Sequence, residues 1–344
     1  MIPDTNAADI RKGFNYQDLV ALYVFLTYIT DLKVLNNEGD EDIDILFKDG
    51  TYRYYQAKET KNVDKSLSKK ELSEALRTLF NDIERVDDKT LISEIGVVTN
   101  CNYPFTKKDS NFIVPYMKKD HSTLSNVAID RINGLIEELK VKDKNYKTVD
   151  FLYDKLTVTK LAYQGIDDDS RLERLEKPIN RFLSKAKIEN GRYSRLLKEW
   201  TFLFYRSSEN KKYTITPENF VERTEIAIMD DPNLDDFFRT FHIRTGNKAY
   251  IMNNYSRYLK KLIRHFNIMS AIQKDFNSYK LKNQNLYEDE IEKKFVNEEY
   301  EKIANMMGFE NDESEKDIAK LIIWLRIIHD SYFYNIERAA KIEN

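Results

Sequence analysis

Two carboxylates, an amide and an ammonium lie close together in this chain. Asp42 and Asp44 stand two residues apart, and so do Gln56 and Lys58. Spacing by two puts each pair on one face of an extended strand. The set suits phosphodiester chemistry. A hard cation such as Mg²⁺ or Mn²⁺ takes oxygen ligands, and Asp44, the Gln56 side-chain oxygen and the Ala57 backbone carbonyl can supply them. A cation held there polarises a phosphoryl oxygen and lowers the pKa of a bound water. Lys58 can orient that water and stabilise the charge that develops in the transition state.

The elements around these residues must bring the two pairs together. Asp42-Ile-Asp-Ile-Leu-Phe47 alternates with period two, Lys48-Asp49-Gly50 is a turn signal, and Thr51 to Lys58 is rich in strand formers. Opposite residues of an antiparallel hairpin point the same way. A two-residue Asp49-Gly50 turn would pair Asp44 with Tyr55 and send Gln56 to the other side. A three-residue Lys48-Asp49-Gly50 loop with a left-handed Gly50 pairs Asp44 with Tyr54 and Asp42 with Gln56. The hydrophobic partition favours the three-residue loop. It leaves Asp42, Asp44, Gln56 and Lys58 on one side and Ile43, Ile45, Phe47, Tyr55 and Ala57 on the other.

A helix capped by Thr5 or Asn6 and running to about Asp31 precedes the hairpin, with Ile10, Phe14, Leu19, Leu22, Phe25, Leu26 and Ile29 at helical spacing. A helix over about 68–85, a buried strand over 92–99, a helix near 122–139 and a strand near 156–163 follow. The acidic stretch after Gln164 marks a boundary. Beyond it the pattern predicts helices near 171–190, 193–206, 217–229, 248–266, 287–307 and 315–340, with no strand. Glycine and proline are scarce, 9 and 6 in 344 residues, which agrees with a helix-rich fold.

Composition narrows the function. The single Cys101 excludes an intramolecular disulfide framework and a cysteine zinc site, and reads as a small buried hydrophobe. His121, His242, His265 and His329 have no ligand spacing. The longest apolar run, Leu19 to Ile29, is too short for a bilayer and lacks a basic flank, so a cytoplasmic protein with neither a membrane span nor a signal peptide is expected. A net charge of -3 gives no global pull toward nucleic acid. Any DNA contact must therefore be local, and Lys107, Lys108, Lys118 and Lys119 are the candidates.

Asp44 followed by Gln56-Ala-Lys58 resembles the D…QxK variant of the PD-(D/E)xK, restriction-endonuclease-like fold. Gly13-Phe-Asn-Tyr-Gln17 is similar to the G-x-x-Y-Q segment of one branch, and Val97-Val-Thr-Asn100 is similar to that branch as well. The branch is the double-strand DNA endonuclease domain of bacterial anti-phage effectors, including the CBASS and Lamassu nucleases. The resemblance covers the first 100 residues well and extends toward residue 165. It implies Asp44 as a metal ligand, Gln56 in the usual glutamate position, Lys58 as the catalytic lysine and Gln17 reaching the site from the first helix. It also implies an upstream acid, for which Glu38, Glu41 and Asp42 all qualify.

The expected architecture is an α/β restriction-endonuclease-like domain over 1–165, a central mixed sheet flanked by helices, followed by an all-α domain over 166–344 for regulation or oligomerisation. The expected function is an Mg²⁺- or Mn²⁺-dependent endonuclease on double-stranded DNA, acting as an anti-phage defence effector. The strand-poor second half makes the chain most like the Lamassu effector. The resemblance then implies activity as a homo-oligomer and partnership with an SMC-like ATPase and an accessory subunit. The competing readings are a catalytically silent DNA-binding or scaffolding module and a CBASS nuclease switched on by a cyclic oligonucleotide. Without the flanking motifs, Asp42, Asp44, Gln56 and Lys58 would read as the solvated face of an amphipathic hairpin.

Overall fold

The structure is a computed structural model that describes residues 16–38, 42–107, 112–142, 153–162, 175–188, 192–210, 213–230, 234–262, 266–309 and 312–342. The chain divides into two compact units, one of residues 1–182 and 200–217 and the other of 183–199 and 218–344. The first unit thus runs past the boundary read at 165 and takes in part of the helical half.

The first unit holds a mixed sheet of seven strands in the order β5-β6-β4-β3-β2-β1-β7. The strands are β1 (Leu32–Glu38), β2 (Asp42–Phe47), β3 (Tyr52–Lys58), β4 (Ile92–Thr99), β5 (Tyr116–Asp120), β6 (Leu156–Leu161) and β7 (Thr214–Ile215). β1, β2 and β3 form an antiparallel meander. β4 lies parallel to β3, β6 lies parallel to β4, and β5 and β7 close the edges antiparallel. Parallel neighbours need crossovers. Helices α2 (Lys69–Glu84) and α3 (Asn126–Lys142) stand between the parallel strands in sequence. Their apolar sides, Leu72, Leu76 and Leu79 with Ile132, Leu135 and Ile136, share a core with Tyr54, Ile95, Val97 and Val158 of the sheet. Helix α2 begins on a capping box: Glu71 N–H donates to Ser68 Oγ at 3.1 Å and Ser68 N–H donates to a Glu71 carboxyl oxygen at 2.6 Å.

Helix α1 (Tyr16–Tyr28) packs on β1, β2 and β3, burying Leu19, Leu22, Phe25 and Leu26. It stops three residues short of the expected end, and β1 follows where no strand was read. Asp31 N–H donates to the Tyr28 carbonyl at 2.9 Å, and the Asp31 carbonyl accepts from Lys48 N–H at 2.9 Å, so the chain turns there into the sheet. The start of that helix, including Thr5, Asn6 and Gly13 to Asn15, lies outside the described residues. β5 was also unread. Its segment Tyr-Met-Lys-Lys-Asp has no apolar alternation, and it becomes a strand by pairing with β6.

Beyond the sheet the chain is helical: α4 (Glu176–Lys185), α5 (Tyr193–Glu209), α6 (Pro217–Met229), α7 (Leu234–Thr240), α8 (Thr245–Leu262), α9 (Phe266–Lys282), α10 (Glu288–Met306), α11 (Glu313–Ile328) and α12 (Asp330–Ala340). The expected final helix is two, α11 and α12, divided at His329. Within the second unit α11 is the buried centre, packing on α8, α9, α10 and α12, with Ile318, Leu321, Ile322, Ile323 and Leu325 fully enclosed.

Candidate active site

The hairpin turn is the three-residue loop. Phe47 N–H donates to the Thr51 carbonyl at 2.9 Å, Gly50 N–H donates to the Phe47 carbonyl at 3.1 Å, and Gly50 has φ +87°. A positive φ costs glycine little, since no Cβ meets the backbone. Asp49 braces the turn by accepting from Thr51 N–H at 2.9 Å and Thr51 Oγ1 at 2.7 Å, and those bonds hold its carboxyl below the usual range.

The resulting register places Asp42 opposite Gln56 and Asp44 opposite Tyr54. In the parallel pair beside it, Gln56 neighbours Val97 and Lys58 neighbours Thr99. Asp44, Tyr54, Gln56 and Lys58 therefore share a face, the one covered by α2 and α3. Both faces of the hairpin are covered. Ile43 and Ile45 are fully buried on the α1 side, while Gln56 is fully buried and Tyr54 is 6% exposed on the other. A simple solvated face is thereby removed as an explanation. Asp44 is half-buried, and burial together with the nearby Asp44 carboxylate pushes the Tyr54 hydroxyl pKa up. Lys58 is half-buried near the α2 N-terminus, where it helps the Ser68 hydrogen bonds hold the Glu71 carboxyl below its usual range.

The donor set fits a hard cation. Asp44 Oδ1 and Gln56 Oε1 are shielded from bulk water on one face. Asn36, opposite Asp44 in β1, has a buried Oδ1 with no hydrogen-bond partner among the described residues. All are oxygens, the atoms that Mg²⁺ and Mn²⁺ prefer. Among the described residues no three His, Cys, Asp or Glu side chains converge, so amide and carbonyl oxygens would have to share the coordination. Of the upstream acids, Glu41 lies outside the described residues. The backbone places Glu38 opposite Asp42, in the same row as Gln56.

The sequence matches the family "Cap4, dsDNA endonuclease domain" over residues 8–190, just over half of the chain. The chain belongs to this family. Among solved structures, the Cap4 SAVED/CARF-domain containing receptor of Acinetobacter baumannii with the cyclic trinucleotide 2'3'3'-cAAA is similar at 18% identity, with 64% of this chain and 46% of that chain covered and a TM-score of 0.38. The Cap4 SAVED/CARF-domain containing receptor of Moraxella osloensis is similar at 18% identity, with coverage of 64% and 48% and a TM-score of 0.37. The chain spans less than half the length of each of these receptors. No curated protein gave a significant match.

Within the Cap4-family domain the remaining expected residues fall in different places. Gln17 Nε2 donates to Asn37 Oδ1 at 3.0 Å, and Asn37 Nδ2 donates to the buried Asp18 carboxylate at 2.8 Å. Asn37 stands opposite Ile43, so this network lies on the α1 side of the sheet, across from Asp44 and Gln56. Lys118 pairs with the buried Glu94 carboxylate at 2.6 Å, and Glu94 also pairs with Arg53 at 3.4 Å. Lys119 sits over the Phe112 ring at 5.9 Å. Lys107 is exposed after β4, and Lys108 lies outside the described residues.

Two further residues stand at the same strand ends, and sequence reasoning missed the first of them. Lys160 of β6 is beside Thr99, which is beside Lys58, in one row of the sheet. It is 1% exposed and its ammonium bonds Asn102 Oδ1. Asn100, the last residue of the Val97–Asn100 segment, grips both backbone groups of Thr60: its Oδ1 accepts from Thr60 N–H at 2.8 Å and its Nδ2 donates to the Thr60 carbonyl at 3.0 Å. A buried lysine in a short strand carries no local signal, because its neighbours come from distant parts of the chain.

Proposed function

We propose that this chain is a metal-dependent endonuclease of double-stranded DNA that serves as an effector in anti-phage defence. The observation that carries the proposal is the hairpin register in a Cap4-family domain, which puts Asp44, Gln56 and Lys58 on one face of the sheet, with Gln56 enclosed and the other two half-buried. The motif corresponds to the D…QxK form of PD-(D/E)xK. Asp44, the Gln56 side-chain oxygen and the Ala57 carbonyl would hold Mg²⁺ or Mn²⁺, with Asp42 or Glu38 joining from the Gln56 row. A bound cation of this kind supplies Lewis-acid polarisation of the phosphate and a more acidic water.

The chain's own groups do the rest. The Lys58 ammonium donates to the phosphate oxygens or to the attacking water and offsets the charge that develops as water adds to phosphorus. The P–O3′ bond breaks, leaving a 3′-hydroxyl and a 5′-phosphate. Gln56, enclosed by the sheet and α2, keeps its amide oriented without freezing a mobile side chain during the reaction.

We assign activation to assembly through the helical unit, where Leu281 in the last turn of α9 and Tyr287 just before α10 are 71% and 80% exposed. The resemblance to Lamassu effectors makes an SMC-like ATPase complex the first partner to test. The cyclic trinucleotide held by the Acinetobacter receptor is the first small molecule to test. Among the described residues no helix is long and apolar enough to cross a membrane, which is compatible with action on cytoplasmic DNA.

The test is plasmid cleavage with Mg²⁺ or Mn²⁺ over a concentration series. Lys58→Ala and Asp44→Ala should each lose about 10²–10³ in rate with the circular dichroism spectrum unchanged. Full cleavage by both folded variants would refute the site.

A further inference from the structure

Exposed loops usually fray and change shape readily. The segment that leaves β3, residues 59–67, does not fit that pattern. Beyond the Asn100 grip on Thr60, Asn102 N–H donates to the Val63 carbonyl at 2.7 Å and Asn102 Nδ2 donates to Asp64 Oδ1 at 2.8 Å. Cys101 Sγ donates to the Lys65 carbonyl at 2.7 Å, and Leu67 N–H donates to the Pro104 carbonyl at 3.2 Å. Arg131 of α3 donates to the Leu67 carbonyl at 2.6 Å. The Lys160 ammonium on Asn102 Oδ1 orients that amide so that its Nδ2 is left for Asp64.

This fastened loop presents two cations. Lys61 and Lys65 are exposed, and neither makes an ion pair among the described residues. Three other lysines of this unit are engaged, Lys69 with Glu138 at 2.5 Å, Lys70 with Glu74 at 3.8 Å and Lys118 with Glu94 at 2.6 Å. Asp64, the acid between the two free lysines, is occupied by Asn102. The loop starts immediately after Lys58, at the carboxyl ends of the parallel strands, where open α/β sheets take their ligands. A loop already held in place loses little entropy when it binds, so its charge converts efficiently into affinity.

We propose that residues 59–67 form a pre-fastened clamp for the backbone of duplex DNA, with Lys61 and Lys65 as phosphate contacts that hold the strand against Lys58. The clamp rests on the endonuclease reading for its substrate and adds the residues that bind it. It assigns DNA binding to this loop in place of Lys118, which is committed to Glu94.

The test is binding of the full chain to a short blunt duplex of arbitrary sequence, in EDTA so that no cleavage intervenes, followed by fluorescence anisotropy across a salt series. Each lost phosphate contact lowers the slope of log K against log salt by about 0.9, so Lys61→Ala/Lys65→Ala should flatten it by about 2. Asn100→Ala, which loosens the loop without changing its charge, should weaken binding and keep the slope. Lys33→Ala/Lys142→Ala, the same charge change at exposed sites elsewhere, should leave slope and affinity alone. Native-like binding by Lys61→Ala/Lys65→Ala, or an equal loss in Lys33→Ala/Lys142→Ala, overturns the clamp and leaves the endonuclease reading standing. Failure of the native chain to bind duplex at low salt overturns both.

Discussion

Gly96 is the position where the geometry around the site can be tested most directly. It lies in β4 between Tyr55 of β3 and Thr157 of β6. A Cβ added there would stand 2.6 Å from Tyr55 Cδ1, 2.9 Å from Tyr55 Cε1 and 2.9 Å from Thr157 Oγ1. All are far inside van der Waals contact. The Tyr55 ring is 4% exposed, so it has little room to swing away. Replacing glycine by alanine would ordinarily stabilise by about 0.4–1 kcal/mol through the unfolded chain. Over-packing a close-packed interior costs about 1–3 kcal/mol, and here the clash wins. Gly96→Ala should therefore destabilise the first unit by about 1–2 kcal/mol net. For a unit of this size that is a fall of about 2–8 °C in its melting transition. Differential scanning fluorimetry reads the shift. In a Tyr55→Leu background, where the ring is gone, the penalty of Gly96→Ala should shrink. An unchanged transition for Gly96→Ala, or the same penalty with and without the Tyr55 ring, would refute the reasoning.

Further outcomes follow from other parts of the fold. Asn100→Ala should cost about 1–3 kcal/mol, because both Thr60 backbone groups lose a buried partner, and limited proteolysis should then cut within residues 59–67 faster than in the native chain. Ser68→Ala removes the α2 capping box and should cost about 1 kcal/mol in chemical denaturation. In the second unit, burial pushes the Glu225 carboxyl up to about 8 and that of Glu222 up to about 7, while burial and Arg192 push His329 down to about 4. The carboxyls favour the fold in their protonated form, so their contribution is lost as pH rises toward 8. The His329 contribution is lost only as pH falls below about 6.5. Thermal stability of this unit should therefore decline from pH 6.5 to 8, by at most about 1.4 kcal/mol per pH unit for each group. Glu225→Gln should flatten that decline, and an unchanged pH profile in Glu225→Gln would count against the burial of a protonated carboxyl there.

Much of the hairpin was legible because its information is local. The alternation of Ile43, Ile45 and Phe47 with Asp42 and Asp44, together with a glycine at position 50, admits one register that separates apolar from polar, and the structure adopts it. The helices read over about 68–85 and 217–229 are both present, and the structure shows that the first starts on a capping box at Ser68. The strands β1 and β5 were not legible. Their residues have weak preferences and become extended by hydrogen-bonding to β2 and β6.

The candidate site divides along the same line. The residue types able to hold a cation and to donate to a phosphate, and their spacing by two, are properties of the sequence alone. Only the tertiary structure decided that Gln56 is enclosed, that Gln17 lies across the sheet bonded to Asn37, and that Lys118 is tied to Glu94. The same holds for Lys160, which joins the row of Lys58 from a strand about a hundred residues away. Burial and partnership depend on contacts between segments distant in the chain. No short-range pattern encodes them, because the same lysine or glutamine is stable in solvent or in a core according to what the fold brings beside it.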